Sequence, residues 1–124
     1  MRAVFDTNIL IDHLNGVRRA ALEIARYSAP LISPITWMEV MAGAAHDKDR
    51  SALRAFLTNF ELAPITQDVM EFAARLRSEK RLRLPDAIIL ATALTDDLIL
   101  VSRNIKDFDV KAWPNIRVPY DLRS

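Results

Sequence analysis

The chain has 124 residues, a formal net charge of +1 and no cysteine. These values exclude a disulfide framework, thiolate metal sites and a cysteine nucleophile, and they leave any attraction to nucleic acid to a local basic patch. Only Gly16 and Gly43 are glycine, too few for Walker or Rossmann phosphate loops. Half of the residues are apolar, 51%, enough for one domain over residues 1–124 to build a core without staples. No apolar run approaches the ~18–20 residues of a membrane span. The first residues read as a strand and show no signal-peptide pattern. The absence of cysteine suits a reducing cytoplasm.

Ala3-Val4-Phe5 reads as a short buried strand running into Asp6-Thr7-Asn8. Ile9 to Leu14 continues as a helix that Gly16 ends. Arg18 to Tyr27 is predicted as a second helix with Ala21, Ile24 and Ala25 on its inner face. Leu31-Ile32-Ser33 is a strand, and Ser33-Pro34 then supplies an N-cap and a first-turn proline. That helix runs to about Gly43 or Ala45. Asp49 to Thr58 is the next helix, with Leu53, Phe56 and Leu57 together. Phe60 to Ala63 reads as a strand closed by Pro64. Thr66 caps a helix whose inner face is Val69, Phe72, Ala73 and Leu76, with Ile65 and Met70 as a hydrophobic staple. Leu84-Pro85-Asp86 opens an all-apolar helix, as a buried helix must be. Leu98 to Val101 is the clearest strand, and Ile116-Arg117-Val118 is a last short one. Strands alternating with helices predict an α/β fold with a mostly parallel sheet covered on both faces.

Three acids adjoin this predicted core. Asp6 follows the first strand at its carboxyl end, where open α/β sheets place their ligands. It reads equally well as a helix N-cap. Glu39 is the only charged residue between Ser33 and Ala45. A capping box with Thr36 would explain it, but the Ser33-Pro34 start puts it inside the helix. Asp86 heads the apolar helix, where the helix dipole favours an acid. Asp107 is a fourth candidate, and a solvated loop acid is its simpler reading. Asp12, Asp96 and Asp97 read as surface or turn residues. Carboxylates converging without histidine or cysteine suit hard cations such as Mg²⁺ or Mn²⁺. Such a site hydrolyses phosphodiesters by activating water. His13 and His46 read as surface residues and give little support to metal-free ribonuclease chemistry.

The ordered motifs Phe5-Asp6-Thr7-Asn8, Ile32-Ser33-Pro34-Ile35-Thr36 with Glu39 and Gly43, Leu82 to Ala93, and Leu100 to Phe108 cover nearly the whole chain. In that order they resemble the PIN-domain nucleases, specifically the VapC-type toxins of prokaryotic toxin–antitoxin pairs. The resemblance implies a single PIN-like domain and a metal-dependent endoribonuclease restrained by a cognate VapB-type antitoxin. It implies metal and catalytic roles for Asp6, Glu39 and Asp86, and a supporting one for Asp107. Asn8, Thr36 and Ser102 fall where relatives hold short polar side chains around the site. Many relatives place an acid at the position of Asn104; here the acid is at Asp107. The resemblance also implies a homodimer and an antitoxin whose C-terminal segment blocks the site. Trp37, Met38, Met41 and the Phe56-Leu57 helix offer a groove for an apolar helix.

Arg103, Lys106 and Arg83 are candidates for RNA phosphates, whose neutralisation dominates nucleic-acid affinity. Arg75, Arg77, Lys80 and Arg81 read equally as a solvated face. Trp37 and Trp113 could stack on bases, although Trp37 reads better as core. A phospho-acceptor receiver domain is the rival reading, with similar length and an acidic metal site. A phosphotransferase of the haloacid-dehalogenase kind would need a second Asp at Asn8. A binding-only PIN domain would not need the complete set of acids.

Overall fold

The computed structural model describes residues 2–122. Five short strands form one parallel sheet: β1 (Ala3–Phe5), β2 (Leu31–Ile32), β3 (Glu61–Leu62), β4 (Ile99–Val101) and β5 (Ile116–Arg117). Their order across the sheet is β3-β2-β1-β4-β5. Six helices connect them: α1 (Thr7–Leu14), α2 (Arg18–Ala25), α3 (Pro34–Ala42), α4 (Asp47–Leu57), α5 (Gln67–Lys80) and α6 (Leu84–Thr95).

Side chains on a strand alternate between faces, and the core divides accordingly. Val4, Leu31, Leu100 and Ile116 pack on one face with Val69, Ala73 and Leu76 of α5 and Ile89 and Leu90 of α6. Ala3, Phe5, Ile32 and Val101 pack on the other with Ile9 and Leu10 of α1, Ala20 of α2, Val40 of α3 and Leu57 of α4. Phe5 sits edge-on to both Tyr27 and Phe60. Each fully buried side chain of this size contributes ~1.5–3 kcal/mol. Both faces are therefore covered, as parallel sheets require.

The central strand β1 lies between β2 and β4, pairing Val4 with Leu31 and Phe5 with Val101. The connections leave β1 in opposite directions, so the carboxyl ends of β1 and β4 flank a topological switch point, where such sheets bind ligands. Receiver domains instead use the order 2-1-3-4-5. The observed topology excludes the receiver reading.

Several elements differ in detail from their predicted form. Helix α2 ends at Ala25 and buries Ala20 and Glu23, whereas Ala25 is exposed. A charged inner position is tolerated because Arg117 donates to both Glu23 oxygens, at 2.6 and 3.0 Å. Strand β3 is only Glu61–Leu62 with both side chains exposed; the flanking Phe60 and Ala63 are the buried residues. Arg2, just before β1, forms an ion pair with Glu61 across the sheet end. Thr66 does cap α5, accepting from the Val69 amide at 3.2 Å. Met70 stays largely exposed, so only the Ile65 half of the staple packs inward. Asp12 is buried in α1 rather than at the surface. It lies three residues after the buried Ile9, on the same helix face. Helix α5 ends at Arg81, whose φ of 59° is left-handed, a helix ending more often made with glycine. Among the described residues no helix is long and apolar enough to cross a membrane.

Candidate active site

Asp6 stands at the end of β1 and caps α1. Its amide donates to the Val101 carbonyl at 2.9 Å, extending the β1–β4 ladder into the site. Its Oδ1 accepts from the Thr7 amide at 2.8 Å. Its Oδ2 accepts from the Ser102 hydroxyl at 2.7 Å and the Asn8 amide group at 3.2 Å. Cap and site are thus the same residue: one oxygen serves each. Burial pushes the Asp6 carboxyl up to about 6, opposed by the Ser102 and Thr7 hydrogen bonds and reinforced by the nearby charges of Asp86 and Glu39.

Asp86 enters from the first turn of α6, which Pro85 helps to start. Its Oδ2 is buried and accepts no hydrogen bond. The Arg83 Nε is 3.6 Å from it, beyond a charge-assisted hydrogen bond. Burial raises the Asp86 pKa; the Arg83 charge lowers it, and the Asp107 and Glu39 charges raise it further. A buried acceptor without a close hydrogen bond is costly, and the largely exposed Arg83 answers its charge only in part.

Glu39 projects from the middle of α3, whose N-cap is Ser33. The capping-box explanation of Glu39 therefore fails. Its Oε1 accepts from the Thr7 hydroxyl at 2.6 Å. Thr7 and Thr36 hydroxyls lie 3.0 Å apart. A hydroxyl has one proton to donate, so Thr7 gives its proton to Glu39 and the buried Thr36 donates to Thr7. This relay fixes α3 to the Asp6 segment.

Asp107 lies in the turn after β4. Its Oδ2 accepts from the Asn104 side chain at 3.1 Å, and its amide donates back to Asn104 Oδ1 at 3.2 Å. Asn104 and Asp107 are therefore one unit. Ser102 links this turn to Asp6, because its Oγ also accepts from the Asn104 amide at 3.0 Å. Asp6 feels the charges of Asp86 and Glu39, and Asp86 those of Asp107 and Glu39, although Glu39 and Asp107 are themselves exposed. Among the described residues, however, no three acidic side chains are close enough to chelate one ion unaided. The residues still fit a hard cation such as Mg²⁺, which takes one or two carboxylates and keeps waters. An all-oxygen donor set and the buried Asp86 oxygen, reached only by Arg83 at 3.6 Å, support that fit.

Of the cationic candidates, Arg103 is engaged elsewhere. Its Nε and Nη2 donate to the two oxygens of Asp12 at 2.6 and 2.8 Å. The Tyr120 hydroxyl donates to the same carboxylate at 2.8 Å. The Arg103 hydrogen bond holds Asp12 below the usual carboxylate range, and Asp12 in turn raises Arg103. Burial raises the Tyr120 phenol. Lys106 is exposed, and Arg83 is 81% exposed beside Asp86. Trp37 and Trp113 are half-buried against opposite cores. His46 is exposed, whereas His13 is half-buried and stacks on Phe56.

Sequence reasoning passed over three residues of this neighbourhood: Thr7, Asp12 and Tyr120. The Ile9–Asp12 spacing carried the signal for Asp12. Nothing local marks Tyr120, which reaches Asp12 from 108 residues away.

The fold and this acidic cluster define a class. The family model for the PIN domain matches residues 3–114, and the chain belongs to the PIN-domain family. Its full-length relatives are more particular. It is 31% identical over 110 residues to Ribonuclease VapC10 of Mycobacterium tuberculosis, covering 83% of both chains. It is 28% identical over 126 residues to Ribonuclease VapC19 of the same organism, covering 94% of this chain and 98% of that one. Among solved structures, it resembles a chain of a toxin–antitoxin complex from Klebsiella pneumoniae with a TM-score of 0.88 and 45% identity, covering 97% of this chain and 99% of that chain.

Proposed function

We propose that this protein is a VapC-type endoribonuclease, the toxin of a toxin–antitoxin pair that inhibits translation by hydrolysing RNA phosphodiester bonds. The ribonuclease relatives and the toxin–antitoxin neighbour support the activity and an antitoxin partner. The observation that carries the chemistry is the buried Oδ2 of Asp86, reached only by Arg83 at 3.6 Å and set beside the charges of Glu39 and Asp107. Asp6 and Asp86 would hold Mg²⁺, with Mn²⁺ able to substitute, and Glu39 and Asp107 would complete the site directly or through water. A cation bound there activates water and stabilises the leaving oxygen.

The chain's own residues prepare that site. Ser102 and Asn8 fix Asp6 Oδ2, and Thr7 aims Glu39. The Asn104–Asp107 unit presents its carboxylate from the β4 turn. The partner is a VapB-type antitoxin binding in the cytoplasm to a toxin homodimer. Met38 is exposed, and Trp37, Met41 and Phe56 are half-buried, so they can line a groove beside Glu39; Leu57 is buried and faces inward. A binding-only PIN domain would not need these acids held as they are.

The test is incubation of purified protein with total RNA in Mg²⁺ or Mn²⁺, followed by sequencing of the RNA ends. EDTA should abolish cleavage and either cation should restore it. Cleavage that persists in EDTA removes the metal mechanism. Expression alone should arrest growth, and co-expression of a small neighbouring gene should relieve the arrest and yield a tight complex.

A further inference from the structure

A cavity of about 290 Å³ opens beside the acids and is not used by them. Asn8 and Asn104, both tied to the site through Ser102, line it. Ile105, Val118 and Leu122, all substantially exposed, give it an apolar wall. Arg103 and Tyr120 also line it. Exposed Lys106 brings a positive charge to it and Asp121 a negative one.

Arg103 is unusual in this lining. Its guanidinium is gripped at two nitrogens by Asp12, which is itself held by Tyr120. Its charge is therefore largely answered, and its plane is fixed. A phosphate clamp needs the opposite, a free charge with free donors. A fixed guanidinium plane is instead a surface on which an unpaired base stacks. Apolar side chains complete a base-sized slot, and side-chain amides can meet the polar edge of a base.

Resting on the ribonuclease reading above, we propose that this cavity is the subsite for an unpaired nucleobase next to the scissile phosphate, with Arg103 as its rigid platform and Lys106 on the adjoining phosphate. Asp12 and Tyr120 are positioning residues for this subsite, acting through Arg103.

The experiment compares RNA oligonucleotides that are intact or lack one base on either side of the cut, cleaved in Mn²⁺ by wild type, Val118→Trp and Ile105→Ser. At one flanking position the missing base should cost the wild type about tenfold in kcat/KM, mostly in KM, as expected for one lost stacking contact. Val118→Trp plugs the slot. It should be slowed about as much on intact RNA and be indifferent to the missing base. Ile105 is half exposed, so Ile105→Ser leaves the fold intact and should show a reduced dependence on the same base. A wild type that cuts RNA but ignores the base on both sides overturns the subsite alone. Variants that keep the full wild-type dependence overturn it too. A Val118→Trp protein that cuts normally but escapes its antitoxin assigns the cavity to a protein side chain instead. A wild type that cuts no RNA overturns the ribonuclease reading and the subsite with it.

Discussion

Asp6 and Asp86 both hold carboxylates where ionisation is disfavoured, by burial first and by one another's neighbours second. Asp86→Asn keeps the side chain's shape and removes one of these charges. It should lose nearly all cleavage, yet melt no lower than wild type in EDTA. Mn²⁺ should raise the wild-type midpoint and leave the variant's almost unchanged, because only a bound ligand stabilises the native state by mass action. Were Asp86 only a helix-start residue, the change would cost up to ~1 kcal/mol and spare cleavage. The pH response follows with its own sign. The folded Asp6 carboxyl titrates at about 6 against an ordinary 3.8, so the folded state binds this proton more tightly than the unfolded state. Stability from this group is present at low pH and declines as pH rises from about 4 to about 6, by about 3 kcal/mol at most. Melting of EDTA-treated protein across that window should show the decline, Asp6→Asn should flatten it, and Mn²⁺ should offset it. These acids were legible in the sequence because each interrupts an apolar run. Asp12 was not, because its partners Arg103 and Tyr120 are distant in the chain and only folding brings them to α1.

At the scale of elements, the site depends on two strand ends, two helix starts and the middle of α3. Ser102 follows β4 and joins it to Asp6 at the end of β1. Groups that orient metal-binding side chains typically matter on the order of 10–100-fold. Ser102→Ala should therefore weaken Mn²⁺ binding by about that factor, measured by titrating the melting midpoint with Mn²⁺, while saturating Mn²⁺ recovers much of the cleavage. The Asp12–Arg103 pair anchors the same turn to α1. Asp12→Ala leaves Arg103 without its counter-charge and should lower stability by about 3 kcal/mol in a urea titration, at the low end for a broken buried pair because Arg103 reaches solvent. Arg103→Ala added to it should cost little more. The starts of α3 and α6 were readable from Ser33-Pro34 and Pro85, whose fixed φ suits a first turn. Strand β4 was readable from its unbroken apolar run. Strand β3 was readable in place but not in extent: Phe60 and Ala63 flank it as buried residues, and only the exposed Glu61–Leu62 pair joins the sheet. The inner face of α2 was read only in part: Ile24 packs inward as expected, but an ion pair, not apolarity, buries Glu23.

The whole molecule is nearly neutral, so its field adds little to RNA binding and individual cations should be countable. For single-stranded RNA each phosphate contact contributes about 0.7 to the slope of log affinity against log salt. Lys106→Ala and Arg83→Ala should each flatten that slope by about this amount, measured with Asp86→Asn protein so that the RNA survives. Arg103→Lys should flatten it little, since its charge is spent on Asp12. The class of fold was legible from the alternation of strands and helices. The strand order was not, because five short apolar runs carry no information about which neighbour each will pair with. That order has a consequence for synthesis. The bond that completes the Asp6 environment joins residues 96 apart, and β1 lacks its β4 neighbour until Val101 has been made. The ribosome therefore releases most of this chain before any cutting centre can exist. Full activity arrives late and all at once, which leaves a translating cell an interval in which an inhibitor made alongside can already be waiting.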